Sequence, residues 1–112
     1  MGPYTRERIE NWVGDFCTSD AIRRIDGGLR EHAHDVLVRF LVSACEHRDV
    51  EPEDVEEADV KSALLGSVAK LNLPASVKGD VPALCGAFLA ALEAQGRLGG
   101  GRVLGAYAGA LK

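Results

Sequence analysis

Residues 32–47, with the sequence HAHDVLVRFLVSACEH, hold all three histidines of the 112-residue chain and one of its three cysteines. At the helical repeat, the apolar side chains of this stretch fall on two sides of one helix that extends over Leu29–Arg48. A helix that is apolar over most of its circumference packs against neighbours on two sides. The stretch therefore predicts a central, largely buried helix around residues 29–48. Its narrow polar stripe consists of His32, Asp35, Arg39, Ser43 and Glu46.

The histidines raise the alternative of a metal or catalytic site. Residues two apart on a helix point in nearly opposite directions, so His32 and His34 cannot bind one ion together. For the same reason His47 cannot activate Cys45. We therefore expect structural roles for the three histidines and no metal site.

The remaining apolar periodicity predicts a single domain, residues 1–112, with an all-α fold: one compact bundle of five to six helices. Thr5 is predicted to cap the first helix, and Gly27-Gly28 to end a short second one. Beyond the central helix, Asp59 is expected to cap a helix that runs to residues 72–74, and Asp80 to cap another that ends near Gly96. Ala83, Ala87 and Ala91 form a low ridge on that helix, where another helix could approach closely.

Charge divides unevenly along the chain. Residues 1–60 have a net charge of −8 and residues 61–112 a net charge of +4, with histidine counted as neutral. Such asymmetry indicates either an interaction surface or an attraction between the two halves within the fold.

The acidic connector, residues 46–59, has eight acidic side chains and one arginine. It does not fit a calcium-binding loop, because the positions that need Gly and Glu hold Asp54 and Val60. One interpretation is a short acidic helix that Pro52 opens. The other is a docking surface for a basic partner protein, whose candidate residues are Glu51, Glu53, Glu56, Glu57 and Asp59.

The C-terminal segment, residues 96–112, is rich in glycine and predicts a helix that is marginal alone, because each interior glycine costs about 1 kcal/mol relative to alanine. Gly101, Gly105 and Gly109 recur every four residues. This spacing favours either close packing within the bundle or a contact with a partner, including a homodimer through this helix. The apolar face comprises Leu104, Tyr107, Ala108 and Leu111.

Residues 67–107, SVAKLNLPASVKGDVPALCGAFLAALEAQGRLGGGRVLGAY, resemble the second half of a winged helix-turn-helix domain. The resemblance implies a glycine-bearing wing and nucleic-acid binding over residues 60–107. Against it, residues 83–95 have no basic side chain for base edges or phosphates. The candidate basic surface for this alternative is Lys70, Lys78, Arg97 and Arg102.

No motif for nucleotide binding, metal-dependent hydrolysis or nucleophilic catalysis occurs, and the three cysteines lie on apolar helical faces. Neither a signal peptide nor a membrane span is predicted, so a cytoplasmic location without membrane contact is expected. The Arg and Ala content is typical of a bacterial protein. The sequence thus favours a non-enzymatic protein–protein interaction or regulatory module without a cofactor.

Overall fold

The computed structural model describes residues 2–25 and 27–110, which form six α-helices and two 3-10 helices and include no strand. The predicted all-α fold is confirmed. No helix in these two ranges combines the length and apolarity needed to cross a membrane. The α-helices are α1 (Thr5–Cys17), α2 (Gly27–Arg48), α3 (Glu57–Leu65), α4 (Ala75–Lys78), α5 (Val81–Ala94) and α6 (Gly101–Ala110), and the 3-10 helices are Asp20–Arg24 and Pro52–Asp54.

Helix α2 is the central helix of the bundle, as predicted, and packs against α1, α3 and α5. Its buried side chains come from both of the apolar sides identified in the sequence. The helix begins at Gly27, so Gly27-Gly28 forms its first turn and does not end the preceding helix as expected. The chain already leaves that helix at Ile25, whose backbone is extended.

Helix α1 contributes both aliphatic and aromatic side chains to the core. The ring of Phe16 meets the ring of Phe88 on α5 edge to face, with centroids 5.4 Å apart. The predicted cap at Thr5 is wrong: Tyr4 precedes the helix, and Thr5 is its first residue. The Thr5 hydroxyl instead donates a hydrogen bond to the carboxylate of Glu51.

The acidic connector starts within the last turn of α2, which ends at Arg48. Asp49 adopts a left-handed conformation with φ of 56°, and the N–H of Val50 donates to the carbonyl of Cys45 at 2.9 Å. This backbone pattern terminates the helix and reverses the chain. Pro52 opens a short helical segment as predicted, which is the 3-10 helix Pro52–Asp54.

Helix α3 is shorter than the sequence predicted, because it ends at Leu65 and not near residue 72. At Gly66 the backbone turns so sharply that a Cβ atom would lie 2.7 Å from the carbonyl oxygen of Ser62. Only glycine fits this turn without displacing the backbone. Val68 remains buried beyond the turn, so the periodicity predicted its burial but not its backbone conformation.

Helices α5 and α6 approach through glycines. A Cβ atom at Gly86 would lie 2.6 Å from the carbonyl oxygen of Gly105. The predicted alanine ridge is wrong, because Ala83 and Ala87 are exposed. Since the glycine face of α6 is buried against α5 within the chain, a homodimer through that face would require α6 to undock.

The wing implied by the winged-helix resemblance does not form. Residues 101–110 are helical, and the described residues contain no strand that could serve as a wing. Three residues of the predicted apolar face, Leu104, Tyr107 and Ala108, are at least partly buried, whereas Leu111 lies outside the described residues.

Candidate functional site

Two carboxylates of the acidic connector bind the N-terminal part of the chain. Glu51 accepts hydrogen bonds from the Thr5 hydroxyl at 2.7 Å and from the Gly2 N–H at 3.2 Å. These hydrogen bonds lower the pKa of Glu51 below its ordinary value. Glu53 forms an ion pair with Arg8, whose guanidinium also lies 3.4 Å from Glu51. Both candidate surface residues are therefore already engaged within the fold.

Asp59 is the clearest departure from the predicted surface, because its side chain has no solvent exposure. Its carboxylate accepts hydrogen bonds from Arg48 Nε at 2.9 Å and Arg48 Nη2 at 2.7 Å. The Glu56 N–H donates to it at 2.8 Å, and His47 Nδ1 lies 2.9 Å away. Asp59 thus joins the end of α2 to the start of α3 and cannot serve as a docking residue.

The local sequence explains how this cluster forms. Glu56 precedes α3, and Asp59 is the third residue of that helix, so its carboxylate can reach back to the Glu56 N–H. Asp59 was predicted to cap the helix from outside, but it lies inside the first turn. Burial alone would raise the pKa of Asp59, but the hydrogen bonds outweigh it and lower the pKa to about 2. The carboxylate is therefore ionised at neutral pH.

Two exposed acidic candidates are not bound to the N-terminal part of the chain. Glu56 is exposed, and its carboxylate lies 3.7 Å from Arg48. Glu57 is also exposed. The five predicted docking residues therefore divide into Glu56 and Glu57, which are exposed, Glu51 and Glu53, which are bound to the N-terminal part of the chain although Glu53 is exposed, and Asp59, which is buried.

The candidate basic residues do not form one surface. Arg97 pairs with Asp15 at 2.6 Å and lies over the ring of Trp12, whereas Arg102 is 82% exposed. Lys78 and Arg97 lie near opposite ends of α5, which is about 20 Å long. The residues therefore cannot contact one short stretch of phosphates together.

A surface that the sequence interpretation missed lies between the end of α3 and the start of α5. This α3–α5 groove has a volume of about 220 Å³. Leu65 lines it and is 55% exposed, one of the largest exposures of an apolar side chain in the described residues. In the sequence, the only indication of this groove is Gly66, which ends α3 directly after the leucine pair Leu64 and Leu65. The lining residues are Leu64, Leu65, Val68, Ala69, Leu73, Lys78, Val81 and Pro82.

Three lysines lie on the segments that form this groove, and one of them lines it. Lys78 lines it, Lys70 directly follows a lining residue, and Lys61 lies one helical turn before Leu65. All three are exposed, and their ammonium groups form no ion pair or hydrogen bond with the described residues. No acidic side chain lines the groove. Lys78 therefore gives the lining an unpaired positive charge, whereas Lys61 lies one helical turn after the exposed Glu57.

A second cleft, with a volume of about 440 Å³, lies between α1 and α2. Arg6, His34 and Arg39 line it, but so do three acidic residues, Glu10, Asp35 and Glu46. This mixture of signs gives the cleft no clear preference for an anion or a cation.

Burial keeps the three cysteine thiols protonated, and the described residues contain no cluster suited to a metal ion. Burial raises the pKa of Cys45 to about 12 and also raises the pKa values of Cys17 and Cys85, so these thiols stay protonated at neutral pH. Over residues 2–25 and 27–110, no three His, Cys, Asp or Glu side chains are grouped to hold a metal ion.

Comparison with known proteins identifies no relative: no protein-family model, curated protein or solved structure matches the chain.

Proposed function

We propose that the chain is a non-enzymatic protein-interaction module that binds a partner protein in the α3–α5 groove. The observation that carries the proposal is Leu65, an exposed leucine inside an apolar groove. Leaving such a side chain in water is unfavourable, and its burial by a partner contributes about 25 cal/mol per Å² of apolar surface. Contiguous apolar surface with a polar rim is typical of an interaction site.

The size of the groove supports a protein partner over a small-molecule ligand. Its volume of about 220 Å³ is below the roughly 300–1,000 Å³ of pockets that enclose drug-sized ligands or cofactors. A groove of this size suits one or two aliphatic side chains. Interfaces commonly derive most of their binding free energy from a few such side chains inserted into pockets.

Selection of binding peptides from a random library, with the full chain as target, tests this proposal. We expect the selected peptides to bind the Leu65→Gln variant about tenfold more weakly, because the variant loses apolar contact in the groove without a change in charge. Val103→Gln is the matched control, since Val103 is 66% exposed and lies on α6 outside the groove.

The thermal midpoint of both variants should stay close to that of the wild type, because both side chains are exposed. If the selected peptides bind Leu65→Gln as tightly as the wild type, or if no peptide is enriched, the groove is not the binding site.

A further inference from the structure

We infer that the partner segment is an amphipathic helix whose apolar face is flanked by acidic residues. This inference rests on the proposed function of the α3–α5 groove and specifies the chemistry of its occupant.

The charge of the partner follows from the surroundings of the groove. Lys78 lines it and is exposed, Lys70 directly follows the lining residue Ala69, and no acidic side chain lines it. The acidic residue closest to Lys78 in sequence, Asp80, lines a different cavity together with Arg24. A carboxylate beside the partner's apolar residues would therefore meet unpaired positive charge, whereas a partner lysine would be repelled.

The secondary structure of the partner follows from what the groove lacks. Described residues 2–25 and 27–110 contain no strand, so they offer no sheet edge to which an extended peptide could be added. Extended proline-rich segments dock into grooves lined by aromatic residues, and no aromatic side chain lines this one. Among the modes in which a regular secondary structure docks through its apolar side chains, this leaves a helix that lays its apolar face into the groove.

The spacing between the lining residue Leu65 and Lys61, one turn earlier on α3, fits such a helix. Lys61 lies four residues before Leu65 on α3, a separation of about 6 Å along the helix axis. Side chains one turn apart on a partner helix have the same separation. A partner leucine that contacts Leu65 can therefore have a glutamate one turn away within reach of Lys61.

Three synthetic peptides of equal length test the inference by fluorescence anisotropy with the full chain. The first has leucines at helical spacing flanked by glutamates, the second replaces the glutamates with lysines, and the third scrambles the first. We expect the acidic amphipathic peptide to bind about tenfold more tightly than its basic twin at low salt, and the difference to shrink at high salt.

Substitutions in the chain show which residues contribute to binding of the acidic peptide. Lys78→Gln should weaken binding of the acidic peptide about threefold. The control Arg23→Gln, at an exposed arginine outside the groove, should not weaken it. Leu65→Gln should weaken binding of the acidic amphipathic peptide more strongly than Lys78→Gln does.

Each alternative result would contradict a specific part of the inference. If the basic twin binds as tightly as the acidic peptide and depends on Leu65, the inferred charge is wrong but the groove remains a binding site. If the scrambled peptide binds equally well, the helical mode is wrong. Leu65-dependent binding to phosphatidylserine vesicles without peptide binding would replace the protein partner by a membrane surface. If none of the peptides or vesicles shows Leu65 dependence, the proposed function fails together with the inference.

Discussion

The acidic connector and the α3–α5 groove differ in how their charges are used. The connector has the higher charge density, yet Glu51, Glu53 and Asp59 are bound to residues of α1 and α2 or to the segment before α1. The groove has fewer charges, but its three lysines have no ionic partner among the described residues. A high density of charge can therefore mark a segment that the fold itself neutralises. Unpaired charge beside exposed apolar surface is the stronger indication of a binding site.

The contrast has a structural cause. The connector must reverse the chain between α2 and α3, and Arg48 and Arg8 hold it on either side. The segment between α3 and α5 is positioned by buried apolar side chains, including Val68 and Val77. Its two lysines, Lys70 and Lys78, form no ion pair with the described residues and remain available to another molecule.

The largest effect is expected from Asp59→Asn. The substitution keeps the size of the side chain but removes the charge that faces Arg48 and His47 inside the fold. We expect the free energy of unfolding to fall by about 2 kcal/mol, because a buried charge network loses its central anion while Arg48 can still reach water. Urea denaturation followed by circular dichroism measures this change.

The control for this substitution is Glu57→Gln, an exposed carboxylate in the first turn of the same helix. It should lower the free energy of unfolding by less than about 1 kcal/mol, since only the interaction with the helix N-terminus weakens. If the two variants lose the same free energy of unfolding, Asp59 contributes no more than a surface charge. The proposed difference between the acidic connector and the α3–α5 groove would then be wrong.

Lowering the pH should remove the stabilising contribution of the Asp59 carboxylate from the wild type. The pKa of Asp59 is lowered from 3.8 to about 2 in the folded chain, so its stabilising effect is fully present above about pH 5 and is lost as the pH falls toward 2. The difference in stability between the wild type and Asp59→Asn should therefore shrink over this window. Denaturation midpoints measured between pH 5 and pH 2 test this, and a constant difference would contradict the assigned ionisation.

Much of the fold follows from local sequence patterns. Two apolar sides identified α2 as the central helix, and Asp80 with Pro82 marked the start of α5. These features depend on residues within one or two turns of each other, and such spacing is directly visible in a sequence.

The features that sequence analysis missed depend on longer-range geometry. Asp59 is buried because Arg48, eleven residues earlier, turns toward it after the chain reverses. Leu65 is exposed because Gly66 ends α3 and bends the chain away. The helical pattern through Val68 gave no sign of that bend, so neither the buried carboxylate nor the groove could be predicted from periodicity.

The smallest effect on stability is expected from replacing Lys61, Lys70 and Lys78 together with glutamine. Because none of these lysines pairs with a described residue, the free energy of unfolding should change by no more than about 0.5 kcal/mol. Replacing Glu51, Glu53 and Asp59 by their amides is the matched control, since it also removes three charges but should destabilise the fold clearly. A loss above about 1 kcal/mol in the lysine variant would show that these charges support the fold, and the groove would then resemble the connector. Preserved stability would instead leave the lysines free to act on a partner, which is the property that the proposed binding of an acidic helix requires.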